Sequence, residues 1–157
     1  SAYGSTKLAG EEFVKDFADR YFILRTAWLY GDGKNFVKTM LKLSETRDEI
    51  TVVDDQFGSP TSAAELAKMI HFLEPTNNFG TYHATCEGQC SWADFAEEIF
   101  RLAGKKTAVE AITTQEYGAA ASRPAYSILD NYMFRLTSDF VFADWHEAIR
   151  EYMKGIN

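Results

Sequence analysis

The sequence predicts an α/β protein, and three observations carry that reading. Amphipathic helical segments alternate with strand-length apolar runs along the chain. The longest such run, YFILRTAWLY at residues 21–30, shows little alternation, as expected of a strand covered on both faces in a parallel sheet. Serines placed to cap helices precede two of the helical segments. A chain of 157 residues with 46% apolar and 15% aromatic content can fill one core, so residues 1–157 are expected to form a single compact unit. The strands in view are too few for a complete doubly wound sheet.

In order, residues 2–19 place Phe13, Val14 and Phe17 at helical spacing, with Glu11, Glu12, Lys15 and Asp16 on the wetter side. The apolar run at 21–30 follows as one strand, closed by GDG. Asn35 can cap a helix through about Arg47, with Phe36, Met40 and Leu43 in one stripe, and ITVV is a short strand after it. DDQFGSPTS reads as a polar loop suited to holding ligand, and Ser62 with Glu65 forms a capping box for AAELAKMIHFL. EPTNNF is a linker, GTYHATC a strand and EGQ a turn; Ser91 and Asp94 then cap WADFAEEIFRLA, which Gly104 stops. TAVEAI is a strand, residues 113–130 are irregular, and residues 144–154 are helical with Trp145 and Ile149 inward.

Net charge is −7 and the basic residues are scattered, which excludes a phosphate-backbone footprint and so a nucleic-acid partner. Cys86 and Cys90 have no second cysteine or histidine pair beside them, so a zinc site is not expected, and free buried thiols are. No apolar run approaches the ~20 residues that span a bilayer. A soluble, cytoplasmic protein with no membrane partner is expected.

The stretch SAYGSTKLAGEEF places Tyr3 and Lys7 four residues apart on the first helix, about one turn, so both side chains leave one face. A phenol has a reference pKa of about 10, and a cation beside it stabilises the phenolate, which makes the pair an acid for a carbonyl becoming an alkoxide. The same spacing recurs at Tyr30 and Lys34, where Gly31 and Gly33 point to a loop instead.

Around that pair the segments YGSTKLAGEE, ILRTAWLYG, NFVKTMLKL, DDQFGSPTSAAELA and SRPAYSILD follow one another over nearly the whole chain. In that order they resemble the extended short-chain dehydrogenase/reductase family, most closely its dTDP-4-dehydrorhamnose reductases. The resemblance implies a partial Rossmann-like remnant of a doubly wound parallel sheet over about residues 1–55, with a small sugar-nucleotide-binding α/β region over about 56–157. It implies NADPH or NADH as cofactor and a dTDP-sugar as substrate, with Tyr3 protonating the carbonyl oxygen and Lys7 holding the cofactor ribose, so that both also bind cofactor. Trp28 then lies against the sugar of the nucleotide, Asn35 near the diphosphate, and Gln56, Gly58 and Thr61 along the nucleotide; Arg123 is the diphosphate contact, since a guanidinium matches phosphate oxygens with two parallel hydrogen bonds. Some relatives hold Mg2+ at a dimer contact through glutamates. Glu65 matches one of these, but Gly155 stands where another acid is expected, so no metal site is expected here, and a homodimer by that route is not implied although a homodimer is allowed.

The chain lacks any glycine-rich dinucleotide loop, and the upstream serine or threonine that assists the tyrosine is absent. It therefore resembles the C-terminal half of such an enzyme, with upstream sequence lost, and by itself is expected to be inactive. The same fold also serves as a non-catalytic regulatory subunit, as in methionine adenosyltransferase, and in other sugar-nucleotide epimerases and dehydratases. Tyr3, Lys7 and Trp28 in place favour the reductase.

Overall fold

In the computed structural model, which describes residues 2–118 and 124–156, helices and short strands alternate. They are α1 (Ala2–Phe17), β1 (Phe22–Arg25), β2 (Leu29–Tyr30), α2 (Phe36–Leu43), β3 (Glu49–Val53), β4 (Phe57–Gly58), β5 (Thr61–Ser62) and α3 (Ala63–Leu73). The chain continues through β6 (Gly80–His83), β7 (Cys90–Ser91), α4 (Trp92–Leu102), β8 (Ala108–Ile112), α5 (Thr114–Tyr117), α6 (Tyr132–Thr137) and α7 (Trp145–Lys154). The α/β class holds. β1 lies parallel to β6, β2 to β5 and β3 to β8, while β4 and β7 are antiparallel.

The apolar run at 21–30 is two strands rather than one. Trp28 has a φ of 48°, in the left-handed region, and that residue turns the chain from β1's partner toward β2's. β1 is half-buried with its last residue exposed, not covered on both faces. The segment expected to be a polar loop contains β4 and β5, and Gln56, Gly58, Ser59, Pro60, Thr61 and Ser62 are all buried. Their polar groups find partners inside: Ser59 Oγ donates to Gly88 O at 2.7 Å, and Thr61 Oγ1 donates to Ser59 O and accepts from Cys86 N–H.

Helix starts follow local chemistry. Ser91 and Asp94 form a full capping box on α4. At α3 the expected box is half made, because Ser62 Oγ accepts from Glu65 N–H but the Glu65 carboxylate pairs with Lys68 instead. Thr113 and Glu116 make a further box on α5, inside the stretch expected to be irregular, and α6 lies outside every expected helix.

Two apolar clusters hold the elements. One joins Tyr30, Val37, Met40, Ile50, Phe95, Ile99, Trp145 and Ile149, with Trp28, Phe36 and Trp92 packed on it. The other joins Met69, Leu73, Tyr82, Phe134 and Phe142, with Phe22 and Leu24 on it. Both draw on residues before and after position 55. No helix among the described residues is long and apolar enough to cross a membrane.

Candidate functional site

Helical geometry puts Tyr3 and Lys7 on one face of α1, both exposed, with Lys7 Nζ 5.6 Å from the centre of the Tyr3 ring. At the competing pair, Tyr30 is only 1% exposed, in β2, and Lys34 sits in a loop beside Gly33 at φ 79°. Burial pushes the Tyr30 phenol to a weaker acid and closes it off from solvent. α1 buries none of its residues, and Leu8, Phe13, Val14 and Phe17 face outward. A two-pronged ion pair ties it to the sheet: Arg25 Nε and Nη2 donate to Glu11 Oε1 and Oε2 at 2.7 and 2.6 Å. Those hydrogen bonds hold the Glu11 carboxyl below the usual carboxylate range.

Arg25 ends β1, and Trp28 follows shortly beyond it, at the carboxyl end of a parallel strand, where open α/β sheets take their ligands. The indoles of Trp28 and Trp92 stack with centroids 3.5 Å apart and planes 8° from parallel. Gly58 lies against the other face. A β-carbon there would sit 2.3 Å from Trp28 Cε2 and 2.5 Å from Nε1, nearer to Trp28 than to any atom of Trp92. Thr61 N–H donates to Trp28 O at 3.2 Å. Three residues singled out in the sequence, Trp28, Gly58 and Thr61, are thus in one place.

The other candidates divide. Asn35 caps α2 as its position predicts, Oδ1 accepting from Lys38 N–H at 3.0 Å, while Nδ2 donates to Gly31 O at 2.6 Å and to the Tyr152 hydroxyl at 3.0 Å. It joins the Trp28 group through its neighbour Phe36, whose ring lies 4.6 Å from Trp92. Gln56 is buried, and its amide donates to Thr114 Oγ1. Arg123 lies outside the described residues. Phe57 N–H donates to Ala125 O at 2.7 Å, Ser127 N–H donates to Phe57 O at 2.8 Å, and the rings of Phe57 and Tyr126 stack 5.6 Å apart.

The sequence reading placed Trp92 only at the start of the helix WADFAEEIFRLA and gave no sign of its stack on Trp28 or of the left-handed backbone at Trp28. The available signal was modest: Trp92 sits directly after a cap residue at a helix start, but Trp145 does so too.

Among the described residues no group of three or more His, Cys, Asp or Glu side chains is placed to hold a metal ion. Cys86 and Cys90 are free and buried, and burial pushes the Cys86 thiol up to about 11. A cleft of about 540 Å³ between α4 and the start of α7, lined by Glu97, Glu98, Arg101 and His146, includes none of the candidate residues. For a nicotinamide dinucleotide the donor set fits one end of the molecule. Lys7 presents an exposed ammonium beside Tyr3 that could donate to a hydroxyl, while the sequence holds no glycine-rich loop for the pyrophosphate.

The family model described as "RmlD substrate binding domain" matches residues 1–157. The chain is 43% identical over 155 residues to the spore coat polysaccharide biosynthesis protein SpsK of Bacillus subtilis, covering 97% of this chain and 53% of that protein. A crystal structure of a dTDP-4-dehydrorhamnose reductase from Clostridium acetobutylicum superposes with a TM-score of 0.96 at 52% identity, over 99% of this chain and 56% of that one. A dTDP-4-dehydrorhamnose reductase from Bacillus anthracis in complex with NADP gives 0.95 at 47% identity, over 98% and 55%. The chain spans little more than half the length of these relatives.

Proposed function

The chain belongs to the RmlD substrate binding domain family, and from that premise we propose that the full-length protein is an NAD(P)H-dependent reductase converting dTDP-4-dehydro-β-L-rhamnose to dTDP-L-rhamnose. The observation that carries this reading is the pairing of Tyr3 and Lys7 on one exposed face of α1, 5.6 Å between ammonium and ring. The relative with NADP in its structure supports the cofactor class.

NAD(P)H, when bound, supplies hydride to C4. Tyr3 gives its phenolic proton to the C4 carbonyl oxygen as the alkoxide forms, and solvent later restores that proton. The Lys7 ammonium stabilises the phenolate left behind and donates to the ribose hydroxyls. Trp28, Asn35, Gln56, Gly58, Thr61 and Arg123 form the sugar-nucleotide side.

The test is cofactor oxidation, followed by absorbance, with the full reading frame and dTDP-4-dehydro-L-rhamnose beside its Tyr3→Phe variant. The expected loss in the variant is about 10²- to 10⁴-fold in kcat, the contribution of a positioned proton donor. A full-length protein that bound cofactor but left this substrate untouched would overturn the reading in favour of a regulatory subunit or another sugar nucleotide.

A further inference from the structure

We propose that Trp92 is a positioning residue of the sugar-nucleotide site, acting through Trp28. The inference rests on the reading above that Trp28 meets the nucleotide sugar.

Trp28 is held from three sides. Gly58 closes one face of its indole, Trp92 covers the other at 3.5 Å, and its carbonyl is fixed by Thr61 N–H. With both faces occupied, the edge of the ring is what Trp28 offers a sugar. The backbone that carries the ring sits at φ 48°, a left-handed conformation a bulky aromatic keeps only when its surroundings over-determine it. Two indoles in full overlap are also not at their preferred offset, so the stack is imposed rather than sought.

Trp92 can impose it because it is itself anchored. It begins α4 directly after the Ser91 capping box, and its ring rests on Phe36, which stacks on Phe95 of the core with planes 13° apart. The column Gly58, Trp28, Trp92, Phe36, Phe95 thus runs from the site to the first apolar cluster. Phe36 adjoins Asn35, so the same column links the two candidate substrate contacts on β2's approach and on α2.

The experiment compares KM and kcat for the sugar nucleotide in the full-length enzyme and in its Trp92→Leu, Trp92→Phe, Trp28→Leu and Trp28→Leu/Trp92→Leu variants. Leucine keeps apolar volume but removes the stack. Trp92→Leu is expected to raise KM about tenfold with kcat within about twofold, as for lost uniform binding. Trp92→Phe restores most of the loss, and Trp92→Leu adds nothing once Trp28 is leucine. Trp28→Leu raising KM while Trp92→Leu does not, or effects that multiply in the double variant, overturns the proposal alone. Trp28→Leu leaving KM unchanged shows that the underlying reading of Trp28 failed, and the proposal falls with it. A readout that needs no folded variant is the near-ultraviolet circular dichroism of wild type titrated with dTDP. The stacked-indole signal is expected to change saturably, and a signal unmoved at saturation also overturns the proposal.

Discussion

Gly58 is the residue at which the site tolerates no side chain. A methyl group there would meet the Trp28 ring well inside contact distance, and the ring cannot retreat because Trp92 stands behind it. Gly58→Ala is therefore expected to destabilise the protein by about 1–3 kcal/mol, the usual cost of overpacking. Urea unfolding should show a lower midpoint at unchanged slope, and a midpoint equal to wild type would refute the argument. Little of this was legible in the chain. Gly58 and Trp28 were each singled out through resemblance, but they lie far apart in sequence, and no periodicity or spacing signals that one packs on the other. Gln56, Ser59 and Thr61 read as loop letters because their polarity suggests water. They are buried because each hydroxyl or amide finds a protein partner, a fact that belongs to the fold and not to the letters. The one-face geometry of Tyr3 and Lys7 was legible, because a helix fixes that relation locally.

The longer elements with their own caps and apolar patterns were foreseen, α5 and α6 excepted; the two-residue strands that depend on a partner were not. α3, α4 and α7 follow caps and apolar stripes, whereas the two-residue strands β2, β4, β5 and β7 exist only because a partner strand lies alongside. The caps give a ranked prediction. Ser91 Oγ accepts from Asp94 N–H at 3.0 Å, donates to Asp54 Oδ1 at 2.6 Å and is fully buried, while Ser62 makes only the half box of α3. Ser91→Ala should cost about 1–2 kcal/mol and more than Ser62→Ala; equal losses in thermal or urea unfolding would contradict the ranking. The attachment of α1 carries a pH signature. The Glu11 carboxyl is lowered in the folded protein by its hydrogen bonds from Arg25, so its stabilisation is fully present above the ordinary carboxylate pKa and is lost as pH falls through the lowered one. Glu11→Gln should be less stable than wild type above ~pH 5, and the two should converge on further acidification. A gap that persists at the acid end would show that Arg25 is not the cause.

At the scale of the whole molecule, the α/β class and the alternation of the longer helices and strands were readable, because each such segment's pattern is local. The division of the core was not: two apolar clusters each collect residues from both ends of the chain. The matched relatives are nearly twice as long, and here α1 keeps its apolar residues exposed and buries none of its length. The proposed catalytic pair therefore stands on an element whose apolar side has no cover within the described residues. Cofactor binding should show the consequence. Lys7 is proposed to hold the ribose, but a dinucleotide draws much of its affinity from a glycine-rich turn and helix N-terminus around the pyrophosphate, and no such motif occurs in the 157 residues. NADPH titrated into this chain alone and followed by its fluorescence should give no saturable change, whereas the full reading frame should bind and saturate. Tight, saturable binding by the chain alone would place the cofactor site within these residues and require a pyrophosphate contact other than a glycine-rich loop.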